Sequence, residues 1–135
     1  MSQAKGPSRY PHAFYPDRVG TYPAHGGSGG GYFWDEVLEY RVWLHPEAGA
    51  EDLHDGDDYF HAFATFEDAE RFSRQTPGSE APLVLVRQWE HVNEPEPGVF
   101  VHVTEERVTE WDVEWLEGTK RGPDSIEQFL KDGSL

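Results

Sequence analysis

A chain of 135 residues with 14% aromatic residues is long enough to bury one core. The absence of cysteine excludes disulfides, thiolate metal sites and a cysteine nucleophile. The formal net charge of −15 opposes contact with phosphate backbones and anionic membranes, which relies on Lys and Arg, and suits a basic protein partner or simple solubility.

Lys5, Arg9 and Arg18 against Asp17 make residues 1–31 positive by two, so the remainder carries −17. Residues 1–31 show no apolar periodicity. They combine Tyr10-Pro11, Tyr15-Pro16 and Tyr22-Pro23 with a glycine-rich run from Gly26 to Gly31. Pro fixes φ and removes a donor, and the Gly run has high chain entropy, so a disordered tail and linker is expected, with a single domain over 32–135. The Tyr-Pro pairs could instead dock as extended anchors on the domain or on a partner. The start Met1–Ser8 lacks the apolar stretch of a secretory signal, and no run approaches the ~20 apolar residues of a membrane span, so a cytoplasmic protein is expected.

From Val37 to Leu44 the residues Leu38, Tyr40, Val42 and Leu44 share one face and Glu39 and Arg41 the other, which predicts a half-buried strand. His45-Pro46 ends it, and Glu47 to Asp58 reads as an acidic loop. A second strand over Tyr59 to Thr65 is aromatic on both faces, as a central strand would be. Thr65-Phe66-Glu67-Asp68 resembles a capping box opening a helix to about Thr76, with Phe66, Ala69, Phe72 and Ser73 as its inner stripe and Pro77-Gly78 as its end.

Leu83 starts a third strand expected to reach Val92. After the turn-rich Asn93–Gly98, a fourth carries Val99, Val101 and Val103 on one face, and the two read as a hairpin. The apolar parity slips between Val103 and Val108, which suggests a bulge at Glu105-Glu106. Trp111 to Trp115 alternates again as a fifth strand or an extension. Ser125 to Lys131 reads as a helix capped by Asp124 or Ser125, with Ile126, Phe129 and Leu130 inward. The order predicts an α+β fold: a mainly antiparallel sheet of four to five strands with one or two helices on one face.

Signals for catalysis are weak. His45, Glu47, Glu51, Asp52, His54, Asp55, Asp57, Asp58 and His61 could offer oxygen and imidazole ligands, but their spacing matches no calcium loop and no helix aligns the histidines, so no metal is expected. No serine sits in a G-x-S-x-G elbow. The Gly26–Gly31 run precedes a strand and lacks the Gly-Lys-Ser/Thr ending of a phosphate loop. Binding candidates are therefore the indoles and imidazoles Trp34, Trp43, His61, Trp89, His91 and His102. Of these, Trp89, His91 and His102 could line a pocket on the hairpin.

Gly30–Trp43, with the following His45-Pro46 and the later Asn93-Glu94-Pro95-Glu96-Pro97-Gly98, resembles a family of small uncharacterised bacterial proteins often labelled as acetyl-CoA-dependent N-acetyltransferases. The resemblance covers most of the chain after residue 31. It implies an acetyltransferase-like enzyme or an accessory subunit of one, and it carries over no catalytic residue. The residues themselves contain no strand followed by a Gly-rich pyrophosphate turn. Acids also flank both predicted helix starts, at Glu67-Asp68 and at Asp124 and Glu127. Arg74, Arg87, Arg107, Lys120 and Arg121 are the cations available to an anion. The sequence points first to a non-catalytic binding or regulatory domain without cofactor, presenting an acidic, aromatic-rich surface to a protein partner. A small acetyltransferase-like enzyme and an acidic nucleic-acid mimic are the alternatives.

Overall fold

The computed structural model of the chain describes residues 9–23 and 32–132. Six strands form two antiparallel sheets, accompanied by two helices, an α+β fold. Strands β1 (Glu36–Leu44), β2 (Tyr59–Phe63), β3 (Leu83–Gln88) and β6 (Arg107–Asp112) make a sheet of order β2-β1-β3-β6. Strands β4 (His91–Glu96) and β5 (Val99–Val103) make the second. β1 and β3 are central, while the aromatic β2 is an edge strand rather than a central one. Its rings are covered from neighbouring elements: Phe72 of α1 (Phe66–Gln75) lies 5.2 Å from Phe63, and the Arg41 guanidinium stands 4.2 Å over Phe60.

Register places Phe63, Tyr40, Val84 and Trp111 in one row across the large sheet. This face meets α1 through Phe66 and Ala69. Thr65 caps the helix as expected, its side-chain oxygen accepting from the Asp68 N–H at 3.1 Å. The Asp68 carboxylate turns instead to Arg71, at 2.9 Å. A register shift between Val37 and Glu39 puts one extra residue, Leu38, in β1. An inserted residue reverses side-chain parity, so Val37 joins Tyr40 and Val42 in the helix-side core in place of Leu38.

Glu39 and Arg41, expected to face solvent, are fully buried on the opposite face. Their cover is the N-terminal segment, where the sequence predicts a tail. Tyr10 sits in the helix-side core with its ring 4.8 Å from Phe66. Ala13 N–H donates to Ala64 O and Phe14 N–H to Val37 O, both at 2.8 Å, where the chain passes the end of β2. Beyond the 3-10 turn Pro16–Arg18, Gly20 N–H reaches Glu39, and Tyr22 and Pro23 offer carbonyls to Arg41. Docked Tyr side chains and backbone bonds at a strand end give this Pro-rich stretch an ordered course without any periodicity. The expected Gly26–Gly31 linker and residues 1–8 lie outside the described residues.

The third predicted strand stops at Gln88, because the chain turns at Trp89-Glu90 and continues as β4 in the second sheet. The turn is held from afar: Asp35 accepts from Trp89 N–H at 2.7 Å and from Arg121 Nε at 2.6 Å. The hairpin β4-β5 closes at Pro97-Gly98, with Gly98 at φ +82°. Its inner residues Val92 and Phe100 pack with Phe33 and with Ile126 and Phe129 of α2 (Ser125–Asp132), and Val99 and Val101 face outward. Leu130, expected inward, is exposed. The parity slip at Glu105-Glu106 is the crossover from β5 to β6 rather than a bulge. After β6, Val113–Leu116 forms a 3-10 turn where a strand was predicted to extend.

Candidate binding site

The sequence-predicted binding residues are spread over both sheets. Trp34 is buried in the main core, its Nε1–H donating to Leu116 O at 3.1 Å. Trp43 Nε1–H donates to Glu110 at 2.9 Å, and its ring lies 5.0 Å from Phe60. His61 is on the other face of β2, against Phe72. Trp89 is exposed, with the Arg87 guanidinium 5.1 Å from its ring.

The hairpin pairs His91 with Val103 and Val92 with His102, so the two histidines point to opposite faces and line no common pocket. His102 bonds Glu90 at 2.6 Å. His91 is buried, and its Nδ1 has no hydrogen-bond partner. Burial, followed by the Arg107 charge, pushes its pKa down.

In the acidic loop, Asp52 turns back on Gly56 N–H at 2.7 Å and Asp55 takes φ +58°. His45 sits between Asp58, at 2.9 Å from Nδ1, and Glu80, which bonds Nε2. The Asp58 hydrogen bond and then that of Glu80 raise its pKa. Both ring nitrogens of His45 are thus engaged by carboxylates. The neighbouring Ser79 hydroxyl is committed to Ser73 O and Thr76 O, both at 2.7 Å. Among the described residues no group of three or more His, Asp or Glu side chains is arranged to hold a metal ion.

A concavity lies between the sheets. Tyr32 with Asn93, Glu94 and Pro95 of β4 forms one wall, and Trp111, Glu114, Trp115, Glu117 and Thr119 the other, enclosing about 760 Å³. The second wall is built from the main core outward. Trp34 N–H donates to Thr119 O at 3.1 Å and its indole N–H to Leu116 O, which fixes the 3-10 turn that presents Trp115. The Trp111 and Trp115 rings meet edge to face at 5.8 Å, and Trp115 remains exposed.

On the first wall, Tyr32 stacks on Phe129 and donates its hydroxyl to Glu94, which also accepts from Gly98 N–H at 2.8 Å. Those two bonds, Tyr32's first, hold the Glu94 pKa below its ordinary value, so this carboxylate stays ionised. Glu117 accepts one bond, from Tyr10 O–H at 3.2 Å. The Glu114 carboxylate has no hydrogen-bonding partner among the described residues. The cleft is thus aromatic and anionic, and no Lys or Arg lines it among the described residues.

None of these lining residues was among the sequence candidates. The readable signal was the alternation of aromatic and acid in Trp111-Asp112-Val113-Glu114-Trp115, taken there as a strand. Trp34 proves to support the site from behind. No family model, curated protein or solved structure matches the chain. No helix among the described residues is long and apolar enough to cross a membrane.

Proposed function

We propose that the chain is a non-catalytic binding domain whose cleft receives a basic segment of a protein partner. The observation that carries this reading is the lining itself: Tyr32, Trp111 and Trp115 supply apolar area, Glu94, Glu114 and Glu117 supply negative charge, and no Lys or Arg is among the described residues that line the cleft. An apolar cavity with a few convergent polar groups is the usual form of a binding site. A net charge of −15 adds a field that draws basic partners and repels phosphate. The cations that an acetyl-CoA pyrophosphate would require are engaged elsewhere. Arg87 pairs with Glu36, Arg121 with Asp35 and Glu90, and Arg74 with Glu70, while Arg107 bonds Gln88 and Asn93 and Lys120 bonds Asp35 O.

The test is fluorescence anisotropy with two labelled decapeptides, one alternating Lys and Arg with Gly and one alternating Glu with Gly, at low and moderate salt. Saturable binding of the basic peptide, weakened at least about fivefold in Trp115→Ala through loss of the indole contact, is expected. Equal binding by the variant, or no binding of the basic peptide, overturns the reading.

A further inference from the structure

We infer that the cleft between the sheets is an arginine site, in which a guanidinium from the partner lies against Trp115 with its N–H groups on Glu114 and Glu117. This rests on the reading of the cleft as a receptor for a basic segment, and it specifies the anchoring side chain.

The fold already holds two of its own arginines in this way. Arg41 lies 4.2 Å over the Phe60 ring, with Nε 2.7 Å from Glu39 and Nη1 3.0 Å from Glu110. Arg87 lies 5.1 Å over the Trp89 ring, with Nη1 donating to Glu36 at 3.0 Å and the Glu106 carboxylate an ion-pair neighbour 3.1 Å from Nε, outside hydrogen-bond geometry. Each has one aromatic face and two carboxylates from different positions of the chain. The planar guanidinium stacks and presents five donors in a fixed fork, so it can satisfy a ring and two acids at once. Lys120, whose ammonium stands 5.1 Å from the Trp34 ring, bonds a backbone carbonyl instead.

The cleft offers the same set, one ring and two acids, with no Arg or Lys among the described lining residues. Trp115 is exposed, Glu114 precedes it and Glu117 follows two residues later on the same turn and its exit. Glu114 has no partner among the described residues, and Tyr10 engages only Oε2 of Glu117. Trp111 backs the Trp115 ring at 5.8 Å, so the ring is supported for stacking from its free side. An ammonium is a compact, strongly hydrated charge and would leave one of these groups unused in an open cleft.

The experiment follows the Trp115 indole N–H by two-dimensional NMR of the ¹⁵N-labelled full chain during titration with three probes. These are acetyl-Gly-Arg-Gly-amide, its lysine counterpart and its citrulline counterpart, which keeps the shape without the charge. The arginine tripeptide should bind at least about fivefold more tightly than the lysine one, the difference that stacking and a forked hydrogen bond supply. Citrulline should leave the signal unmoved. Glu114→Gln should weaken arginine binding by at least a similar factor, while Trp89→Ala, outside the cleft, should not. Lysine binding equal to or tighter than arginine overturns the arginine assignment and leaves the basic-segment reading standing. Failure of both charged tripeptides, together with failure of the basic decapeptide, overturns both.

Discussion

The Arg41 guanidinium joins Glu39, two residues earlier on the same strand, to Glu110 on a strand that β1 does not touch, across 2.7 and 3.0 Å. Neither Arg41 nor Glu39 is exposed. Glu110 also accepts the Trp43 indole N–H, and Gly20 N–H donates to Glu39. Two carboxylates and one guanidinium are thus held together by hydrogen bonds among three parts of the chain.

Removing the cation from this centre should be costly, because it strands two buried acids. Arg41→Met is expected to lose about 3–5 kcal/mol in urea unfolding at neutral pH. A loss below about 1 kcal/mol would show that water reaches the site.

Tyr10 gives the N-terminal segment its hold on the core. Tyr10→Ala should destabilise by about 3 kcal/mol, as for other large buried aromatic truncations, and should make the bonds after Arg9 and Arg18 sensitive to trypsin. Unchanged stability together with unchanged digestion would mean that the segment is held by its backbone bonds alone.

His91 and His45 should give opposite slopes of stability against pH. Burial lowers the His91 pKa from 6.5, so below that value the unfolded chain takes up a proton that the folded chain resists, and stability falls with acidification. The Asp58 and Glu80 hydrogen bonds raise that of His45, whose contribution is complete below 6.5 and is lost as pH rises through its folded value. Imidazole C–H titrations should place His91 below 6.5 and His45 above it. His91→Leu should flatten the acid limb only, and a His91 resonance that titrates above 6.5 would contradict its burial.

Gly78 closes α1 at φ +76°, and a Cβ there would stand 2.2 Å from Ala50 N. Gly78→Ala therefore combines a left-handed backbone with a backbone clash and should lower the melting temperature well beyond the ~1 kcal/mol expected of a strained turn alone. Gly98→Ala, where the space is open, is the matched control and should show only the backbone part.

Local chemistry made α1 legible. The Thr65 cap, the Phe66 and Ala69 spacing and the Pro77-Gly78 stop are all decided within the one stretch from Thr65 to Gly78. The apolar face of β1 was legible too, apart from the extra residue at Leu38. Its other face was not, because alternation cannot distinguish a charge in water from one buried against Glu110, 69 residues away. The break after Gln88 depends on Asp35, 54 residues earlier, and nothing in Trp89-Glu90 announces it. The cleft was the least legible part. Tyr32 and Glu94 meet Trp115 only after two sheets have packed, and its best support, Trp34, acts through the carbonyls of Leu116 and Thr119.

The N-terminal segment also bears on the order of assembly. The hydrogen-bond partners of Tyr10, Pro11, Ala13 and Phe14, namely Glu117, Tyr40, Ala64 and Val37, and the Phe66 ring against Tyr10 all come later in the chain. The segment is therefore synthesised before the groups that hold it and is among the last parts to be seated. Until Gly20, Tyr22 and Pro23 arrive over β1, the Glu39–Arg41 pair lacks three of its backbone partners and remains open to water. Seating the segment is the step that dries the pair, so the slowest-exchanging amides of β1 should gain protection only when these earlier-made residues come to rest.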